Sequence, residues 1–168
     1  MKNYVKISLL FLALTFTARV DAQKKFKKYL LAGSSMFVSG MLDGTIETLV
    51  WHYDQSFRPR FPHANEQFWN PAISWKNKYQ NGNSLDGPRF PGSTTAFAFT
   101  TDAYHALRTS NRALTTITLV GYINGECREK MSKKERCKTI IKDFLILTAI
   151  RSAGFTLTYG LVFRKVSN

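Results

Sequence analysis

Hydrophobic residues in this chain gather into four blocks: Ile7 to Phe16, Tyr29 to Trp51, about Ser93 to Ile123, and Ile140 to Phe163. All five prolines, Pro59, Pro62, Pro71, Pro88 and Pro91, fall between the second block and the start of the third. Proline removes a backbone donor and clashes with the preceding helical turn, so residues 52–93 cannot form one continuous helix. The pattern predicts a mainly α fold of about three long helices, with one irregular excursion, rich in proline, glycine and aromatic residues, between the first and second. Two of the helices are of membrane length, Tyr29 to Trp51 and Phe144 to Phe163, because spanning a bilayer takes roughly 20 apolar residues. The middle block carries Asp102, His105, Arg108 and Arg112, which are costly in lipid unless they face other helices. Its Thr115, Thr116 and Thr118 would also suit a strand.

The first block has a different meaning. Lys2 and Lys6 precede it, and Val20 and Ala22 place small residues at −3 and −1 of a cleavage site, the pattern of a secretory signal peptide over residues 1–22. The alternative is an uncleaved anchor, for which the apolar run is short. Residues 23–168 are expected to form a single helical, membrane-associated domain, with 52–93 as its aromatic and basic loop.

Charge narrows the partners. The formal net charge is +13, and most of that excess lies outside the leader. In an exported protein such a field points to a membrane lipid or another anionic component of the bacterial cell envelope, with a protein partner also possible and no nucleic acid expected. Which membrane, and in which orientation, stays open. Lys24, Lys25, Lys27 and Lys28 precede the first helix, and Arg128, Lys130, Lys133, Lys134, Arg136 and Lys138 follow the second. Clusters of this kind ordinarily mark the cytoplasmic face, whereas cleavage after Ala22 would leave the first cluster on the other side.

The two cysteines, Cys127 and Cys137, flank the second basic run. In an oxidising compartment they either close that loop as a disulfide or stand as separate thiols, and spacing does not decide between the two.

Candidate chemistry lies on the helices. Gly40, Asp43, Gly44, Glu47 and Trp51 recur at helical steps, so two carboxylates share a face with a small-xxx-small pair. Asp102 and His105 sit one turn apart, and Arg108, Arg112 and Arg151 offer counter-charges. Two arrangements are compatible with this. In one, the arginines form structural ion pairs with the acids and lock the helix packing. In the other, Asp43, Glu47, Asp102 and His105 converge as metal ligands or acid–base groups, because a carboxylate-x-x-His step resembles those of bundle metal sites in outline. Whether any metal or other cofactor binds is unknown at this level. The absence of a Gly-x-Ser-x-Gly elbow, a phosphate-binding glycine loop and an HExxH pair removes the common hydrolase and nucleotide classes.

The excursion holds FWNPAISWKNKY (Phe68 to Tyr79) and NGNSLDGPRFPGSTT (Asn81 to Thr95). Trp69, Trp75 and Tyr79 could stack on sugars or seat at a membrane interface, with Lys76, Lys78 and Arg89 holding phosphates. The alternative is a small satellite core that pins the segment.

With its DGTIE element (Asp43 to Glu47), the FWNPAISWKNKY stretch, GSTT (Gly92 to Thr95) and TDAYH (Thr101 to His105), the chain resembles a family of small, uncharacterised bacterial envelope proteins. The resemblance spans about residues 43 to 108. It implies export and groups these motifs, but implies no reaction. The leading expectation is therefore a non-enzymatic envelope protein, a membrane-associated helical bundle with a buried polar stripe and a loop that docks a lipid head group, glycan or partner protein. The alternative is an enzyme acting on an envelope lipid or glycan.

Overall fold

A computed structural model describes residues 29–123 and 131–164; the expected signal peptide, Lys24 to Lys28 and Cys127 lie outside them. The described chain is mainly helical and holds no named strand, only an isolated bridge between Tyr79 and Pro88. Its long elements are α1 (29–51), α2 (Ala103–Ile123) and α3 (Lys133–Phe155), the last running on through a wide turn at Thr156–Val162.

Each boundary has a local cause. α2 begins at Ala103, ten residues later than the hydrophobic pattern suggests, because the Asp102 carboxylate accepts from the His105 amide at 2.9 Å and caps the helix there. Upstream of it, Gly92 at φ 84° and the turn at Ala98–Thr100 interrupt the apolar run. The threonines at 115, 116 and 118 are helical, and Thr115 and Thr118 return their hydroxyls to carbonyls four residues back. α3 starts at Lys133, seven residues earlier than its hydrophobic block, because Ser132 and Glu135 form a reciprocal capping box.

The excursion is a chain of short helical turns, several of them begun by an asparagine. The Asn65, Asn70 and Asn83 side chains accept from the amides of Gln67, Ala72 and Leu85 at 2.9–3.0 Å, starting the turns at Glu66–Trp69, Pro71–Ser74 and Ser84–Asp86. Between Lys78 and Arg89 the chain doubles back as a small hairpin, held by Arg89 N–H to the Lys78 carbonyl at 2.8 Å and Gln80 N–H to the Gly87 carbonyl at 3.0 Å. Asn81, Gly82 and Gly87 take positive φ at its bends, a conformation that glycine and asparagine adopt at low cost.

α1 and α3 run in the same direction and touch through glycine. A Cβ at Gly40 would strike the Arg151 carbonyl oxygen, one at Gly154 the Phe37 carbonyl oxygen, and one at Gly44 would lie 2.9 Å from the Phe155 carbonyl oxygen. No side-chain layer separates the two backbones at this crossing. α2 runs antiparallel to α1, as Ser39 meets Asn111 and Thr115 while Leu49 packs with Ala103 and Leu107. The apolar core, Leu49, Tyr53, Phe57, Ala103 and Phe163, sits at the loop end of the bundle. Phe57 stacks there on Tyr53, Trp69 and Phe163 at centroid distances of 5.3–5.8 Å.

Over the rest of the bundle the usual partition is reversed. Ser39, Thr48, Asn111, Thr118, Asp143 and Thr158 are buried, while Leu31, Trp51, Ile117, Phe144, Leu145 and Leu161 are each more than half exposed. Two helices of membrane length were expected, but among the described residues one is long and apolar enough to cross a bilayer, Lys133–Val162, whose 18-residue apolar window has mean hydropathy 1.4. Only 11% of its apolar window is buried, so most of its hydrophobic surface faces outward. The shortfall is α1, whose serines, glycines and acids dilute its apolar residues.

Candidate functional site

Two polar constellations stand out, one between the helices and one on the loop. The first centres on Asp43 of α1. Arg151 of α3 donates to its Oδ2 from Nε at 3.0 Å and Nη2 at 2.6 Å, and Asn111 of α2 donates its amide to Oδ1. Ser39 Oγ donates to Asn111 Oδ1 at 2.5 Å and lies 3.3 Å from Thr115 Oγ1. One carboxylate thus ties all three helices. Both oxygens of Asp43 are engaged, which offsets the partial loss of water around its charge.

The three helices line an apolar groove of about 380 Å³, with Met36, Leu119, Ile140, Phe144 and Leu147 in its wall and Asp143 and Arg151 as its charged residues. Asp143 is 1% exposed and accepts a hydrogen bond from the Tyr29 hydroxyl.

The four residues considered as metal ligands or acid–base groups do not gather. Asp43 is held by Arg151 and Asn111. Glu47, one turn on, is exposed, although it lies on the same side of α1 as Gly40 and Gly44. Asp102 and His105 form their own pair, His105 Nδ1 lying 2.8 Å from the buried carboxylate. His105 is six residues from Asn111, about 9 Å along α2 at 1.5 Å per residue. Among the described residues no group of three or more histidine, cysteine, aspartate or glutamate side chains is placed to hold a metal ion. Of the three arginines expected in structural ion pairs, only Arg151 makes one among the described residues. Arg108 is exposed and lies over the Tyr104 ring, 5.5 Å from its centroid, and Arg112 is exposed, with no described carboxylate in reach of either.

The loop residues divide in two. Trp69 is taken into the aromatic core, stacked on Phe57 at 5.3 Å with Phe68 edge-on to it, so it pins the segment instead of offering a docking face. Burial pushes the neighbouring Tyr53 phenol above its ordinary range, with the Glu66 carboxylate acting in the same sense, and the ring stays neutral in that cluster. Trp75 is 42% exposed, edge-on to Tyr79 at 6.1 Å, with the Lys76 ammonium 6.0 Å from its ring centroid and Lys78 similarly placed over Tyr79. Lys76, Tyr79 and Arg89 line a concavity of about 590 Å³ together with Gln67, Gln80 and Asn81.

Asn77 holds this concavity to the bundle. Its amide donates to the Gln67 carbonyl at 2.7 Å and the Thr101 carbonyl at 2.9 Å, while its oxygen accepts from Gln67 Nε2 at 2.6 Å. Thr101 Oγ1 in turn lies 3.0 Å from Asp102 Oδ2, so the loop is continuous in hydrogen bonds with the cap of α2.

Asn77, Asn111 and the Tyr29–Asp143 pair are the polar residues that sequence reasoning missed. Asn111 had a signal: it lies four residues after Leu107 and eight after Ala103, on the face that α2 buries. Cys137 is exposed near the start of α3, and its proposed partner lies outside the described residues. Comparison of the chain with protein families, curated proteins and solved structures found no match.

Proposed function

We propose that the chain is a non-enzymatic protein of the bacterial cell envelope, embedded in a membrane by α1 and α3 and docking an anionic lipid head group with its loop. The observation that carries this reading is the reversed partition of the bundle. Serine, threonine, asparagine and aspartate fill the interior, and leucine, isoleucine, phenylalanine and tryptophan cover the outside. In water that arrangement loses apolar burial and gains nothing, whereas in hydrocarbon it satisfies both sets of groups. Because α1 touches α3 backbone to backbone, a bilayer crossed by α3 is crossed by α1 as well.

Membrane embedding also gives the Asp43 constellation its role. Without water to solvate them, Arg151 and Asp43 need each other, and Asn111 and Ser39 extend the contact to α2. The excursion then emerges at the end where α1 finishes and α2 starts, opposite the exposed Lys133, Lys134 and Lys138 at the start of α3. It presents cations and exposed rings of the kind that favour the head-group layer.

The test is extraction of isolated membranes with alkaline carbonate. Retention in the pellet is expected, and release into the supernatant rejects embedding. A second arm places lysine at Leu157, which is 36% exposed and lies well inside the apolar segment Phe144 to Phe163. A lysine near the centre of a spanning helix costs about 2.5 to 3.5 kcal/mol of insertion, so L157K should reduce the carbonate-resistant fraction, while K133Q should not.

A further inference from the structure

We infer that the loop concavity is a binding site for a phosphate ester bearing free hydroxyls, of the kind presented by a phosphoglycerol lipid head group. The inference rests on the docking role proposed above and names its ligand. The concavity is lined by Lys76 and Arg89 and by no acidic residue. Neither cation has a carboxylate within 4 Å among the described residues. Two uncompensated positive charges on one concave surface select an anion.

The carboxamides select what the anion carries. The amide nitrogen of Gln67 is engaged with Asn77 Oδ1 at 2.6 Å, that of Gln80 with the Pro88 carbonyl at 3.2 Å, and that of Asn81 with Asp86 Oδ2 at 3.2 Å. Their three side-chain oxygens accept no hydrogen bond from any described residue, so the amides present acceptors. A bare phosphate would meet the cations and leave those oxygens to water. A phosphate that also carries hydroxyl donors satisfies both sets at once.

The neighbouring chain argues for a lipid over a free ester. Trp75, Leu85 and Phe90 are 42%, 91% and 37% exposed on the same stretch of chain, and Leu85 stands at the tip of the hairpin. Exposed aromatic and aliphatic side chains next in sequence to the lining residues Lys76 and Arg89, or on the hairpin between them, suit the boundary between head groups and acyl chains. The volume, about 590 Å³, is that of a small-molecule site.

The experiment is native mass spectrometry of the full chain in detergent, with short-chain phosphatidylglycerol, phosphatidic acid and phosphatidylcholine added separately. Wild type is expected to retain one phosphatidylglycerol about tenfold more tightly than phosphatidic acid, one decade of affinity for the hydroxyl contacts. The double variant K76Q/R89Q should lose the adduct, and Q80L should bring phosphatidylglycerol toward the level of phosphatidic acid. K133Q, at the far end of the bundle, should leave both unchanged. Circular dichroism of each variant confirms that the helices persist. Equal retention of the two anionic lipids overturns the hydroxyl selection, retention by K76Q/R89Q overturns the site, and equally tight binding of soluble glycerophosphoglycerol overturns the lipid source. Because micellar lipids are read without a bilayer, failure here leaves embedding standing, and failure of carbonate retention leaves this measurement valid.

Discussion

Arg151 and Asp43 meet where α1 and α3 cross, the guanidinium placing Nε and Nη2 at 3.0 and 2.6 Å from one carboxylate oxygen while Asn111 takes the other. The side chains are 39% and 32% exposed, so the pair is neither a surface ion pair nor a fully buried one. Removing either charge strands its partner beside the apolar groove. Asp43→Asn and Arg151→Met are each expected to destabilise the bundle by about 1 to 3 kcal/mol, discounted for partial exposure. The double variant should be less damaged than the sum of the two. A double-mutant cycle from denaturant melts in detergent checks this, and simple additivity would mean that the two groups do not interact.

The glycine crossing gives a second prediction. Gly40→Leu and Gly154→Val place side chains on carbonyl oxygens, and each should cost about 3 kcal/mol or more, since neither backbone can move aside without separating the helices. Gly121 of α2 has open space around its would-be Cβ, so Gly121→Ala should be neutral or stabilise by up to about 1 kcal/mol. Thermal melts of the three variants test the contrast, and similar midpoints for all three would contradict it.

A third concerns the cap of α2. Asn serves at this position nearly as well as Asp, whereas Ala leaves the His105 amide without its acceptor. Asp102→Ala should therefore cost about 1 to 2 kcal/mol, and Asp102→Asn appreciably less. Amide hydrogen exchange over residues 103–107 reads the fraying directly.

Fourth, Asn77→Ala removes three hydrogen bonds that fasten the loop to its own Gln67 and to Thr101 at the foot of α2. The expected result is a local opening, with net loss of about 1 to 3 kcal/mol, seen as new protease cleavage between residues 64 and 100 while the long helices remain intact. Unchanged cleavage would show that the short turns hold without this tether.

The helical class and the proline-rich excursion were legible in the sequence, as was the need of Arg151 for an acid, because helical period and the cost of unpaired charge act locally or pairwise; that the acid is Asp43 was not. Nor was the phase of α2. Asp102, His105 and Arg112 recur at helical spacing, but the face turned inward is Ala103, Leu107, Asn111 and Thr118, about one residue around the helix. One residue is a rotation of about 100°, and apolar and polar residues occur on both faces of α2, so hydrophobicity alone did not choose. Glu47 shows a related limit on α1: it shares a stripe with Asp43, yet Asp43 is held by Arg151 and Asn111 while Glu47 is exposed, a difference that helical spacing does not carry. On the loop, residue types alone did not separate Trp69, which the core consumes, from Trp75, which stays exposed.

Where peptide groups of α1 and α3 touch, no interdigitated side chains exist that could ratchet past one another, and the two helices form one stiff rod. α2 is joined to that rod by the Ser39, Asn111 and Asp43 contacts and by the loop-end core. Parting α1 from α3 would uncover peptide groups, whereas parting α2 from α1 would uncover side chains, so the seat of α2 is set by its side chains.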